Sequence, residues 1–172
     1  MLDIHKALKT LEEIENKSAD LYAWLSGVFA SDEKASLLFA RLHLGKLSHA
    51  NLLQYQSRII LKNPRAFRGA VSVDSDHARA ITESIERFRN TTPSLSVAVR
   101  TALIFGHAVE QIYQDQTFRD SLDGLGPFVA QLRKGSQDHG AALKHLAADR
   151  GLPDALPAFI SAVPNPTPPV PA

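Results

Sequence analysis

LEEIENKSADLYAWLS, residues 11–26, sets an acid into a helical stripe that is otherwise apolar. Extended in both directions the stripe runs Ile4, Leu8, Leu11, Glu15, Ser18, Tyr22, Leu25 and Phe29. Steps of three and four residues are those of one face of an α-helix. Only Glu15 and Ser18 clearly break its apolar character, so the spacing predicts that Glu15 points inward. A carboxylate turned toward a core needs a partner, because an unpaired buried charge is strongly penalised. The rest of the chain has to supply that partner.

Four further segments read as helix. Ser31 with Asp32 and Glu33 offers a cap and first-turn acids for a second helix over 32–62, with the seam Leu38, Leu42, Lys46, His49, Leu53, Gln56 and Ile60 before Asn63 and Pro64. Lys46 and His49 are therefore predicted to face inward. After a loop at 63–74, residues 75–90 place Ile81, Ile85 and Phe88 on one face of a short crossover helix. Thr92 and Pro93 suit the cap and first turn of the next helix, 94–121, with the seam Val99, Leu103, Gly106, Glu110 and Tyr113. Glu110 is its expected inward acid. Beyond GLGP at 124–127, the helix 127–150 carries Val129, Leu132, Ser136, His139, Leu143 and Leu146, and Gly151 with Pro153 stops it. Helices at 2–29, 32–62, 75–90, 94–121 and 127–150 make the class all-α.

The first helical hairpin is echoed by the second. Tyr113 follows Tyr22 by 91 residues and His139 follows His49 by 90. In four-helix carboxylate bundles such a layout holds two iron or manganese ions, with a Glu from each of two helices and a Glu-x-x-His from each of the other two. On these residues the chain resembles the ferritin-like superfamily, and within it the rubrerythrin-type bundles, over about residues 2–150. The resemblance implies an up-down four-helix bundle with a long crossover. It makes Glu15, seven residues before Tyr22, the first-helix ligand, and His49 and His139 the histidines of the two Glu-x-x-His motifs. Iron or peroxide chemistry would follow from a complete set. Here Lys46 stands where the second helix should carry its Glu, Ser136 where the fourth should, and Gly106 where the third should.

Charge decides what these replacements mean. Two divalent ions need several carboxylates, whereas this centre offers Glu15, with Glu110 one turn from Gly106, against the cation Lys46. An uncompensated buried ion costs several kcal/mol. The simplest replacement for a metal bridge is an ion pair between Lys46 and Glu15, with Ser136, His49 and His139 completing hydrogen bonds. Tyr22 and Tyr113 are expected as amphipathic core residues, and His5, His43, His77 and His145 as surface.

Composition bounds the function. The 172 residues, 44% of them apolar, suit one domain over 1–150 followed by a proline-rich tail, 151–172, expected to be disordered. A net charge of +1 recruits neither nucleic acid nor an anionic membrane, and no apolar run is long enough for a membrane span. A cytoplasmic location is expected. With no cysteine, thiol catalysis and thiolate metal sites are excluded. Three classes remain. The first is a metal-free, non-catalytic binding or interaction module, as a homodimer or with a protein partner. The second is a reduced iron or manganese site on Glu15, His49 and His139, assisted by Glu110 or His107. The third is a pocket for a small apolar ligand at the bundle centre, in the volume vacated at Gly106 and Ser136.

Overall fold

Five helices and no strand make up the described residues, as the spacing of apolar side chains requires. The structure, a computed structural model, describes residues 4–62, 73–114 and 126–152. Helix α1 spans Ile4–Val28, α2 Glu33–Lys62, α3 Ser75–Arg89, α4 Leu95–Gln114 and α5 Gly126–Asp149. Every predicted boundary that falls on described residues is met to within one residue. The predicted helix ends at 2 and 121, most of the 63–74 loop, the start of the GLGP stretch and the proline-rich tail lie outside them.

The caps differ from the expected ones by one or two positions. Asp32, not Ser31, caps α2, its Oδ1 accepting from Ala35 N–H at 3.1 Å. Ser94, not Thr92, caps α4, with Val97 N–H 3.4 Å from its Oγ. Pro93 therefore lies outside the first turn, where its fixed φ and missing N–H break no helical hydrogen bond. Asp74 caps α3 through Asp76 N–H and His77 N–H, at 2.9 and 3.2 Å. At the end of α5, Gly151 has φ of +59°, and Leu152 N–H and Gly151 N–H return to the carbonyls of Ala147 and Ala148. That hydrogen-bond pair defines the Schellman stop, which favours glycine at this φ.

α1 and α2 form an antiparallel hairpin in a constant register. Ser26 meets Ser36, His43 Nδ1 lies 2.9 Å from Ala19 O, Lys46 meets Glu15, and His5 Nδ1 lies 2.5 Å from Ser57 Oγ. His43 and His5 are thus interhelical residues, not surface ones as expected. Both find polar partners that sequence periodicity does not display. α5 runs antiparallel to α2, because Arg150 pairs with Asp32 while His139 and His49 reach across at mid-helix. α3 lies along α1, where the rings of Trp24 and Phe88 meet edge to face at 5.8 Å and Ala78, Ile81 and Ile85 are buried. This explains why Ile14 and Leu21, off the predicted seam, are also buried: α1 is covered on two sides.

One face turns relative to expectation, on α4, and the face of α2 differs only in its first turns. At the start of α2, Ala35 and Phe39 are buried and Leu38 is half-buried, while the expected Leu42, Lys46, His49, Leu53 and Ile60 are buried; Phe39 stacks on Tyr22 and Phe29. On α4 the buried set is Ala98, Val99, Ala102, Val109, Ile112 and Tyr113. Leu103, Gly106 and Glu110 are only half-buried. Small alanines weigh little in a hydropathy pattern, yet they let a helix approach its neighbours closely, so they claim the inner side and rotate Leu103 outward. Leu37, Leu44 and Tyr55 remain exposed along the outer side of α2.

Candidate functional site

Glu15 is fully enclosed, at 0% exposure, although it sits mid-helix in α1. Its partners come from two other helices. Lys46 of α2, itself 2% exposed, places Nζ 3.0 Å from Glu15 Oε2, an ion-pair distance without hydrogen-bond alignment. Tyr113 of α4 donates its hydroxyl to Glu15 Oε1 at 2.6 Å. His49 Nδ1 stands 3.5 Å from Oε2. The expected Lys46–Glu15 pair is present. The expected supporting hydrogen bonds from Ser136, His49 and His139 are not: Ser136 Oγ, His49 Nδ1 and His139 Nδ1 have no hydrogen-bond partner among the described residues. Tyr113, read from sequence as a core residue, makes the bond instead. Its phenol reaches further than a serine hydroxyl and needs a partner when buried.

The two histidines stack on each other. Their ring centroids are 5.3 Å apart with 24° between planes. Each ring lies over a glycine of the opposite helix: a Cβ on Gly45 would fall 2.2 Å from His139 Nε2, and one on Gly135 the same distance from His49 Nε2. The arrangement has local two-fold symmetry, Gly45 with His49 on α2 answering Gly135 with His139 on α5. Sequence reasoning missed both glycines, although G-x-x-x-H recurs at 45–49 and 135–139. Four residues is one helical turn, so a glycine at that step opens the room that the other helix's ring fills.

Burial alone would raise the Glu15 carboxyl. The Lys46 ammonium, the His49 ring and the Tyr113 hydroxyl overturn that and hold it down to about 2. Tyr22 and Tyr113 are pushed up, by burial first and then by the Glu15 charge. His139 is pushed down to about 4 by burial, then by the positive charge of Lys46 and the neighbouring His49 ring, against the pull of Glu15. These shifts set how stability depends on pH. The unfolded His139 takes up a proton near 6.5 and the folded one only near 4, so the unfolded state binds more protons in that window and stability falls as pH drops through it. Glu15 ionises near 4.5 when unfolded and near 2 when folded, so its contribution is complete above 4.5 and is lost as pH falls toward 2. Urea midpoints measured against pH are expected to decline in these two stages, and His139→Gln to flatten the upper one. An unchanged slope between pH 6.5 and 4 in that variant would show that His139 does not carry it.

A dinuclear metal centre does not fit these residues. An ammonium occupies the space beside the one central carboxylate, and among the described residues no three His, Asp or Glu side chains converge as a metal-holding group. Glu110 is not the inward acid that the spacing suggested. It lies on a rim, accepting from Gln114 Nε2 at 2.9 Å and Gln137 Nε2 at 3.1 Å, because α4 is rotated. His107, beside it, is 3.1 Å from Gln111 Nε2. Neither reaches Glu15.

What the vacated positions leave is a cleft of about 340 Å³ on the α4–α5 side of the ion pair. Lys46, Ser136 and His139 line its inner part, Gly106 and Leu103 its α4 wall, and Leu143 its α5 wall. Gly106 and Ser136, which the spacing singled out as missing ligands, therefore do share one cavity. It opens between α4 and α5, and Tyr22 of α1 and Lys46 of α2 also line it. No known protein family, curated protein or solved structure was found to match the chain.

Proposed function

We propose that this chain is a ferritin-like helical protein in which an internal ion pair has taken the place of a metal centre, and that it works as a non-catalytic binding module. The observation that carries the reading is the enclosed contact of Lys46 Nζ with Glu15 Oε2, with Tyr113 on the other carboxylate oxygen. Lys46 supplies the positive charge that a metal would, so Glu15 is compensated without one. Further cations in the same volume would meet like-charge repulsion with no added anions to offset their desolvation. The antiparallel α1–α2 pair, the contact of α4 with α5 and the repeated glycine–histidine step favour the duplicated hairpin of the ferritin-like layout.

Elemental analysis of protein purified without chelator tests this directly. The expected result is substoichiometric iron, manganese and zinc, with no oxidation of added Fe(II) beyond the buffer rate. Tightly held metal in a two-to-one ratio to the chain, removed only by strong chelators, would overturn the reading.

A further inference from the structure

We propose that the cleft between α4 and α5 binds a small molecule with an apolar body and one hydrogen-bond-accepting head, a carboxylate or a neutral carbonyl, seated head first toward Lys46 and Ser136. The inference deepens the binding-module reading and rests on its claim that Lys46, not a metal, stands at the inner end. Three buried polar atoms lack hydrogen-bond partners among the described residues and belong to residues lining this one cavity: Lys46 Nζ, Ser136 Oγ and His139 Nδ1. Buried polar groups are nearly always satisfied, so three orphans around one cavity point to a partner that occupies it. Lys46 is an obligate donor with three N–H bonds; its ammonium already stands 3.0 Å from the Glu15 carboxylate, which leaves two to be satisfied. A serine hydroxyl donates readily beside it. The head that satisfies both is an acceptor.

The rest of the cavity sets the body. Ala102, Leu103 and Leu143 form walls with no charge, and 340 Å³ falls at the small end of ligand pockets, which run from about 300 to 1,000 Å³. Size and lining together suit a single ring or a short chain. At the inner end Lys46 repels a positive head; the Glu110 carboxylate, which accepts from Gln114 and Gln137, lies at the rim. Gly106 and Gly140 line the cavity too, and a Cβ on either would meet open space. A side chain can therefore enter from Gly106 with no clash at its Cβ, which supplies a variant independent of the ion pair.

Titration of the full chain with benzoate, benzamide and benzylamine, followed by calorimetry and by amide chemical shifts on α4 and α5, tests the proposal. Benzoate or benzamide should bind, and benzylamine about tenfold more weakly or not at all, since it offers no acceptor. Which of the first two binds more tightly separates an anionic from a neutral head. Gly106→Leu should abolish binding while leaving the chain folded and no less stable to heat, because it fills space and improves helix propensity. Ser136→Ala should weaken binding several-fold. Failure of both acceptor probes, benzylamine binding as tightly as they do, or an unchanged affinity in Gly106→Leu would each overturn the proposal. Metal analysis of the same samples keeps the two readings apart. Metal-loaded protein that binds benzoate refutes the metal-independent centre alone, and metal-free protein that binds neither acceptor probe refutes the ligand alone.

Discussion

Lys46→Met and Glu15→Leu should each lower the denaturation midpoint sharply, and the double variant should recover much of the loss. With Lys46 at 2% and Glu15 at 0% exposure, removing one partner strands the other away from water. Breaking a buried pair in this way costs about 3–5 kcal/mol, whereas replacing both members with apolar groups of similar volume is often neutral or stabilising. At roughly 2–4 °C per kcal/mol for a chain of this size, each single variant should lose on the order of 10 °C. Tyr113 sharpens the test. In Glu15→Leu its hydroxyl loses an acceptor as well, so the carboxylate variant should be the worse of the two singles, and adding Tyr113→Phe should recover part of that extra loss. Thermal and urea unfolding of the four combinations read the coupling directly. Effects of Lys46→Met and Glu15→Leu that simply add would show that the two charges do not depend on each other.

Gly45→Ala and Gly135→Ala are the second pair with large expected effects, and they act in a direction opposite to helix propensity. On an open helical surface each change stabilises by about 1 kcal/mol. Here the new methyl would lie 2.2 Å from an imidazole nitrogen of the facing helix, well inside contact distance. The ring cannot simply swing aside, because the other histidine is stacked against it. Either α2 and α5 separate or the stack breaks, and overpacking of this kind costs typically about 1–3 kcal/mol. Each variant should therefore be destabilised on balance, and the pair together more so. Gly45→Ala combined with His139→Ala removes both sides of the clash and should be more stable than His139→Ala alone. If Gly45→Ala is stabilising in the otherwise unchanged chain, the close approach of α2 to α5 is wrong.

Helix positions were legible in the amino-acid order because they depend on local quantities: apolar steps of three and four residues, and proline and glycine at the ends. The inward placement of Glu15, Lys46 and His49 was legible for the same reason, since each interrupts an apolar stripe whose other members must be buried. Even the ion pair could be anticipated from the charges alone. Faces were less secure. On α4 the alanines at 98 and 102 carry too little hydrophobicity to mark the inner side, and Glu110 was misplaced as a result.

Which groups complete the site was decided only when the helices packed. Tyr113 reaches Glu15 across 98 positions of chain, and nothing local distinguishes it from Tyr22. His49 and His139, which the repeat suggested as separate ligands, instead share one stack. Their rings fit only because glycines on the opposing helices leave room for them. The cleft beside Ser136 is likewise a property of how far apart α4 and α5 stand. Periodicity reports which side of a helix leaves water. Distances between side chains on different helices, and hence hydrogen bonds, stacking and empty volume, depend on the volumes of all the residues between them, and only tertiary packing sets those.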